Sequence, residues 1–378
     1  MTTLIDRRQT SGLDLSALGA ARYATLPQQQ RGRGALVNMP GRYERHGTQI
    51  FDDGWQTLDE LPPFKTTVYA ETPKKIITTN DSPDISFRQS INPYRGCEHG
   101  CSYCYARPTH AYMGLSPGLD FESKLFAKTN AASLLRAELA NPHYQPLTIA
   151  LGANTDPYQP IEREYRITRQ VLEVLSEFNH PVGIVTKSAL VLRDLDILED
   201  MAKRNLVKVA VSVTTLDPKL ARAMEPRAAT PPRRLGAIEA LSKAGIPTVV
   251  MSAPIIPGLN DSEIEGILKA GYAAGAREAG YVVLRLPLEV KEVFRAWLEE
   301  ALPDRAAKVM SLVRQIRQGK ENDSTFGRRF TGTGPYAWTI GRRFEMAAQR
   351  LGYNKNRRQL STDAFRRPPQ PGEQLKLF

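Results

Sequence analysis

Short apolar segments rich in β-branched residues alternate with longer amphipathic segments from about residue 84 to residue 302. The apolar segments have the length and composition of strands, and the amphipathic segments have the apolar period of helices. This alternation is typical of parallel strands joined by right-handed crossovers, which restricts the chain to the α/β class. Six units predict a partial (β/α)6 barrel of the TIM type, because eight would close one. The predicted strands span residues 85–91, 147–151, 182–187, 207–214, 248–253 and 281–286.

The pattern divides the chain into three regions. Residues 1–65 are rich in Gly, Pro, Gln and Arg and predict a flexible N-terminal extension. Residues 66–302 form the predicted core, and residues 303–378 form a basic helical C-terminal region that ends in a Pro-rich linker. The predicted helices lie near residues 125–140, 162–178, 190–205, 232–244, 261–275 and 290–302, and in the C-terminal region near residues 308–320 and 340–351.

The positive charge of the chain is concentrated at its C-terminal end. The net charge is +11, and residues 303–378 contain 16 Lys and Arg against 6 Asp and Glu. A local excess of positive charge favours a polyanion such as DNA as a partner. The alternative is a solvated surface that only keeps the protein soluble.

The sequence also predicts a compartment. It contains no apolar run of about 18 residues, so no transmembrane helix is expected. The first residues lack the apolar stretch of a signal peptide. Three clustered cysteines are poorly suited to a disulfide framework and favour a reducing environment. We therefore expect a cytoplasmic protein.

All three cysteines of the chain, Cys97, Cys101 and Cys104, lie within eight residues directly after the first predicted strand. This is the end of a barrel strand at which chemistry gathers. Three thiolates can bind three irons of a [4Fe-4S] cluster and leave the fourth iron open to a substrate or cosubstrate. The alternative is a zinc site of the Cys3His type, with His99 or His110 as the fourth ligand.

The cysteine spacing, its place after a first strand and the aromatic Tyr103 before the last cysteine resemble the radical SAM superfamily. Residues 92–97, 103–105 and 155–160 are similar to the spore photoproduct lyase-like branch, and the likeness covers about residues 85–300. The resemblance implies an enzyme that reductively cleaves S-adenosylmethionine (SAM) at a [4Fe-4S] cluster. The resulting 5′-deoxyadenosyl radical would abstract hydrogen from a substrate carbon, and an external electron donor would reduce the cluster.

The resemblance also implies roles for individual residues. The three cysteines would hold the cluster, and Tyr105 would relay hydrogen or electrons near the substrate. Residues at the strand ends would bind SAM: Tyr103 and Ile255 its adenine, Asn154 and Asp156 its amino group, Lys187 and Arg227 its carboxylate, and Ser212 and Thr214 its ribose or carboxylate.

Most of these residues also have a purely structural interpretation. Tyr103, Tyr105 and Ile255 could contribute to packing alone. His99 could be only a polar loop residue rather than one that tunes the cluster. Thr214 suits a strand by its β-propensity. Asp156 could cap a turn, Lys187 could be solvated, and Arg227 could form a loop ion pair.

Arg285 lies on the sixth predicted strand. Its side chain faces either the substrate or a partner within the barrel.

One position departs from the family pattern. Spore photoproduct lyases carry a cysteine that returns hydrogen to the product radical, and this chain has Ala153 at the matching place. Because no spare cysteine exists elsewhere, thymine-dimer reversal by that route is not expected.

The last five residues, Gln374-Leu375-Lys376-Leu377-Phe378, resemble the bacterial sliding-clamp-binding pentapeptide Gln-Leu-x-Leu-Phe. Leu375, Leu377 and Phe378 would then be apolar anchors. The alternative is an amphipathic end that folds back on the domain.

With the basic region, the motif favours an enzyme that acts on DNA, in lesion repair or base modification. Two other hypotheses stay open: modification of a protein or small metabolite, and a non-catalytic Fe-S or zinc module recruited to the clamp.

Overall fold

The computed structural model describes residues 25, 32–44 and 65–368. Within these residues the strands are β1 Thr67–Glu71, β2 Thr78–Thr79, β3 Gln89–Ile91, β4 Tyr94–Arg95, β5 Lys124–Lys128, β6 Ile149–Leu151, β7 Val182–Thr186, β8 Val207–Ser212, β9 Thr248–Ile255 and β10 Glu278–Val283. The α-helices are α1 Asp120–Ser123, α2 Ala131–Ala140, α3 Glu162–Tyr165, α4 Ile167–Glu177, α5 Leu195–Lys203, α6 Pro218–Met224, α7 Pro231–Lys243, α8 Ile264–Ala273, α9 Val290–Ala301, α10 Pro303–Gln315 and α11 Gly334–Leu351. Three 3-10 helices span Arg107–Met113, Ala189–Asp194 and Asp261–Glu263.

The main sheet has the strand order β10-β9-β8-β7-β6-β3-β2. Six neighbouring strands, from β3 to β10, pair in parallel, and β2 is antiparallel at one edge. Its two edge strands, β2 and β10, do not pair with each other in the part of the chain that the structure describes. The predicted partial (β/α)6 barrel is therefore confirmed.

The strands form where apolar, β-branched residues allow burial on both faces of a parallel sheet. In β8, Val207, Val209 and Val211 are fully buried, and they belong to the same core as Val182 and Ile184 of β7. Such burial explains why short apolar runs located all six parallel strands to within a few residues.

Two predicted helices were partly wrong. Residues 125–128 form β5 rather than the start of a helix, and β5 pairs in parallel with β1 and antiparallel with β4. Its residues alternate between buried and half-buried, which is the period of a strand. The helix predicted at residues 162–178 is interrupted at Arg166, which has a left-handed φ of 50°.

The C-terminal region contributes to the core. On α10, Val309 and Val313 are fully buried in a cluster that includes Phe294 of α9. On α11, Ile340 and Phe344 are buried in the main core. Removing residues 303–378 would therefore expose core side chains, and the boundary at residue 302 stays a prediction.

Two predicted segments fall wholly or partly outside the described residues. Within the predicted N-terminal extension, Ala35, Val37 and Met39 are buried against Val293 of α9. The clamp-like peptide at residues 374–378 lies outside the described residues. No helix among residues 65–368 is long and apolar enough to cross a membrane.

Candidate active site

The cysteine loop begins directly after β4, at the C-terminal side of the parallel strands. Cys97 and Cys101 are buried, Cys104 is half-buried, and none of the three forms a disulfide. The Cys97 N–H donates to the Phe121 carbonyl at 2.9 Å. Burial raises the pKa of the Cys97 thiol, and the Asp156 carboxylate and the other two thiols raise it further. The three thiols are thus close enough to affect one another.

A buried ion pair supports this loop. The Arg107 guanidinium donates to the Cys101 carbonyl at 2.7 and 3.0 Å and to the Glu122 carboxylate at 2.5 Å. Glu122 also accepts from the N–H groups of Gly34 and Ala35, at 2.9 and 2.8 Å. Both charged side chains are fully buried. The pair therefore joins the cysteine loop to the N-terminal segment.

Two glycines make this approach possible. Gly100 has a left-handed φ of 65°, and a Cβ built on Gly34 would lie 1.6 Å from the Gly100 carbonyl oxygen. Such a contact is sterically impossible, so residue 34 must be glycine if this segment is to pass beneath the loop. Sequence reasoning missed this arrangement because its partners are far apart in the chain.

Asp156 connects the cysteine loop to the end of β7. Its carboxylate lies 3.3 Å from His99 Nδ1 and accepts from the Lys187 N–H and the Thr186 hydroxyl, both at 2.7 Å. Burial alone would raise the Asp156 pKa, but the charge and hydrogen bond of His99 and the other donors lower it to about 2. These contacts support a positioning role for Asp156, and direct contact with SAM stays a prediction.

Tyr103 belongs to a buried network at the end of β8. Its hydroxyl donates to the Glu225 carboxylate, which also accepts from the Thr214 hydroxyl at 2.7 Å and pairs with Arg234. Arg234 in turn donates to the Ser212 carbonyl at 3.1 Å. The network fixes the Tyr103 ring, brings the predicted residue Thr214 beside it and connects the predicted residue Ser212 through Arg234.

Lys187 is the predicted SAM-binding cation that remains available. Its half-buried ammonium lies 5.9 Å from the centroid of the Tyr103 ring. Burial raises the pKa of the Cys101 thiol, and the nearby charge of Lys187 opposes that rise. Within residues 65–368, no carboxylate lies within 4.0 Å of this ammonium. It can therefore receive an anionic ligand beside the cysteine loop.

Arg227 is occupied by protein partners. Its guanidinium pairs with Glu98 at 2.8 Å and donates to the Gly32 carbonyl at 3.1 Å. Its N–H donates to the His99 carbonyl at 3.3 Å. The loop ion pair, one of the two interpretations of Arg227, is present, and a contact with the SAM carboxylate stays a prediction.

The remaining predicted residues lie at neighbouring strand ends. Asn154 follows β6, and its N–H donates to the Asn92 side chain at 2.9 Å. Ile255 ends β9 and is buried in the main core. Tyr105 is 47% exposed, and its hydroxyl donates to the Ala153 carbonyl.

The three thiols on this loop suit a [4Fe-4S] cluster. Among the described residues, no three His, Cys, Asp or Glu side chains converge closely enough to hold a single ion. The three thiolates of a [4Fe-4S] cluster bind three different irons, so they need not converge on one point. His110, the other candidate zinc ligand, directs one ring nitrogen to the Lys124 carbonyl at 2.9 Å.

Comparisons with known proteins agree with this geometry. The family model described as Radical SAM superfamily matches residues 91–270. An uncharacterized protein of Mycobacterium tuberculosis is 40% identical over 233 residues, which cover 61% of this chain and 68% of that protein.

Two solved structures share the fold. A point mutant of spore photoproduct lyase matches with a TM-score of 0.53 and 16% identity, over 82% of this chain and 85% of that one. A double mutant of the same enzyme, with bound AdoMet and dinucleoside spore photoproduct, matches with a TM-score of 0.50 and 16% identity, over 75% and 77%. This chain therefore belongs to the radical SAM superfamily, whose members are enzymes that use a [4Fe-4S] cluster and SAM.

Proposed function

We propose that this enzyme produces the 5′-deoxyadenosyl radical and uses it on DNA, in lesion repair or base modification. When bound, the cluster supplies the electron that cleaves SAM reductively. Cys97, Cys101 and Cys104 would hold it, because they are three unpaired thiols on one loop. Lys187 would bind the SAM carboxylate, and the Tyr103 ring beside it would pack against the adenine.

The protein contributes orientation. The Arg107–Glu122 pair and the His99–Asp156 contact hold the cysteine loop against the strand ends from two sides. Groups held in one geometry before binding lose less entropy when the ligand arrives. Tyr105, next to Cys104 and half-exposed, is the proposed relay for hydrogen or electrons. With Ala153 in place of the family's cysteine, a hydrogen donor other than that thiol is required.

The observation that carries the DNA proposal is the contact between the basic C-terminal region and the mouth of the barrel. The Val283 N–H, at the end of β10, donates to the Phe330 carbonyl at 2.8 Å. Arg329 pairs with Asp84, which precedes β3, at 2.5 Å. The region that holds most of the excess positive charge thus adjoins the site where substrate would enter. Modification of a protein or small metabolite is the alternative, and the basic region would then serve only solubility.

Recruitment to a sliding clamp through Gln374, Leu375, Leu377 and Phe378 is part of the same proposal. It rests on the sequence motif alone, since these residues lie outside the described ones. Membership of an enzyme superfamily favours an enzyme at the clamp over a non-catalytic module.

We expect Lys187→Gln to raise the Kd for SAM about ten- to hundredfold, since hydrogen bonds to charged groups contribute about 1.5–3 kcal/mol. Equilibrium binding of SAM to the reconstituted enzyme measures this change. Lys203→Gln is the matched control, because Lys203 is exposed and pairs with Glu199 on the outer surface of α5. Equal affinities of the two variants for SAM would show that Lys187 does not bind SAM.

Anaerobic turnover tests the proposed substrate. With reduced enzyme, SAM and ultraviolet-damaged DNA, we expect 5′-deoxyadenosine together with an altered nucleoside, both measured by mass spectrometry. Undamaged DNA separates lesion repair from base modification. If 5′-deoxyadenosine forms at the same low rate with and without either DNA, and all nucleosides stay unchanged, DNA is not the substrate.

A further inference from the structure

We propose that Arg285, Arg328 and Phe326 form a site for a single nucleic-acid strand beside Tyr105, with the two arginines on phosphates and the phenylalanine stacked on a base. The inference rests on the proposed function and deepens it, because it names the residues that would hold the substrate.

Arg285 stands where a barrel enzyme binds its substrate. It follows β10 by two residues, on the C-terminal side of the sheet. Its guanidinium lies 5.7 Å from the centroid of the Tyr105 ring, and Tyr105 directly follows Cys104. A phosphate bound to Arg285 would therefore lie close to the cysteine loop.

The guanidinium of Arg285 has no anionic partner within residues 65–368. It stacks on Phe330, 4.8 Å from the ring centroid, and its Nε is buried without a hydrogen-bond partner. A buried donor that stays unsatisfied is costly, so such groups are commonly completed by a ligand or by water.

The surroundings of Arg285 hold more cations than anions. Arg317 and Arg329 lie close enough to interact electrostatically with Arg285, and Arg328 precedes Arg329 on the loop. Asp323 pairs with Arg328 at 3.8 Å, and Asp84 pairs with Arg329 at 2.5 Å. Burial lowers the pKa of Arg285, and the charge of Arg329 lowers it further. An anion placed among these guanidinium groups would relieve their mutual repulsion.

The loop of residues 326–330 is held in one shape. Buried Arg317 donates to the Leu284 carbonyl at 2.7 Å and to the Arg328 carbonyl at 3.0 Å, which ties the loop to the strand end. The Gly327 N–H donates to Asp84 at 3.0 Å, and Gly327 has a left-handed φ of 78°. The loop is therefore organised before any ligand binds.

Two side chains of this loop face solvent. Phe326 is 55% exposed, and Arg328 is 42% exposed with its nearest carboxylate, Asp323, at 3.8 Å. Guanidinium groups bind phosphate through paired hydrogen bonds, and exposed aromatic rings stack on unpaired bases. Two arginines and one exposed aromatic ring suit a strand with successive phosphates and an unpaired base better than a small molecule with a single phosphate.

Binding of a fluorescein-labelled single-stranded oligonucleotide, followed by fluorescence anisotropy over a series of salt concentrations, tests the site. Arg285→Gln should weaken binding about tenfold at low salt and reduce the slope of log K against log salt by about 0.7, the value of one phosphate contact. Phe326→Ala should weaken binding about tenfold at every salt concentration and leave the slope unchanged, since stacking is not ionic. Arg305→Gln, an exposed arginine on α10 outside this cluster, should change neither quantity.

The outcomes separate this inference from the proposed function. If the intact chain binds the oligonucleotide but Arg285→Gln and Phe326→Ala behave like Arg305→Gln, only the site is wrong. If the intact chain binds neither this oligonucleotide nor a duplex of the same sequence, the DNA function falls with the site. Arg285-dependent binding of a nucleoside monophosphate without oligonucleotide binding would assign the site to a small substrate and overturn the inference. Should Arg285→Gln fail to fold, Arg285→Lys and the exposed Phe326→Ala decide the question.

Discussion

Cys101→Ala will abolish reductive cleavage of SAM. The chain has three cysteines, all on one loop, so the variant leaves two thiolates and no cysteine that could replace the third. The loop is held by contacts of the Arg107 guanidinium with the Cys101 carbonyl, and that backbone contact is retained in the variant. The expected loss is therefore one of ligation and not of the loop structure.

The measurement is anaerobic reconstitution followed by iron and sulfide analysis, electron paramagnetic resonance and mass spectrometry of 5′-deoxyadenosine. Ser102→Ala is the matched control on the same loop, because the Ser102 hydroxyl is buried without a hydrogen-bond partner among the described residues. It should keep the cluster and cleave SAM at nearly the rate of the unaltered enzyme. SAM cleavage by Cys101→Ala at a similar rate would show that the cysteine loop is not the cluster site.

Arg107→Met will lower the free energy of unfolding by about 3–5 kcal/mol, because it leaves the Glu122 carboxylate buried without its cationic partner. Arg107 and Glu122 are both fully buried, and the guanidinium also donates to the carbonyls of Cys101 and Gly118. Cluster incorporation should fall with stability, since the loop loses its support.

Urea unfolding of the metal-free protein under reducing conditions measures the difference. Arg136→Met is the control, because Arg136 forms a similar pair with Glu177 at 2.5 Å while both side chains are more than 40% exposed. An exposed pair contributes about 0–1 kcal/mol, so the control should be nearly neutral. Equal effects of the two substitutions on the free energy of unfolding would contradict this prediction. They would mean that the Glu122 carboxylate becomes solvated or finds another partner when Arg107 is removed.

Predictions from local patterns succeeded where burial follows directly from residue type. The valines of β8 are apolar and β-branched, and the strand forms within two residues of the predicted bounds. The same reasoning failed at β5, because Leu125 and Ala127 suit a helix and a strand equally well. Their pairing with β1 decided the structure, and β1 lies more than fifty residues earlier in the chain.

The candidate site was predictable in its donors and less so in its contacts. Lys187 was predicted as a cation at a strand end, and it lies beside Tyr103 without a described carboxylate partner. Arg227 was predicted either to bind the same carboxylate or to form a loop ion pair. Its guanidinium pairs with Glu98, and contact with SAM stays a prediction. Nothing in a linear pattern distinguishes these two cations, because the distinction depends on which anion the fold brings near each.

The sequence by itself determined the class of fold, the position of the cysteine loop and the location of the excess positive charge. These three features depend on periodicity, spacing and composition within short segments. Only the tertiary structure decided that Glu122 lies against Gly34 and Ala35, and that the loop of residues 326–330 meets Arg285 at the mouth of the barrel. Those contacts join residues 45 to 88 positions apart. Each depends on the burial of charge and apolar surface across the whole fold, which no local pattern encodes.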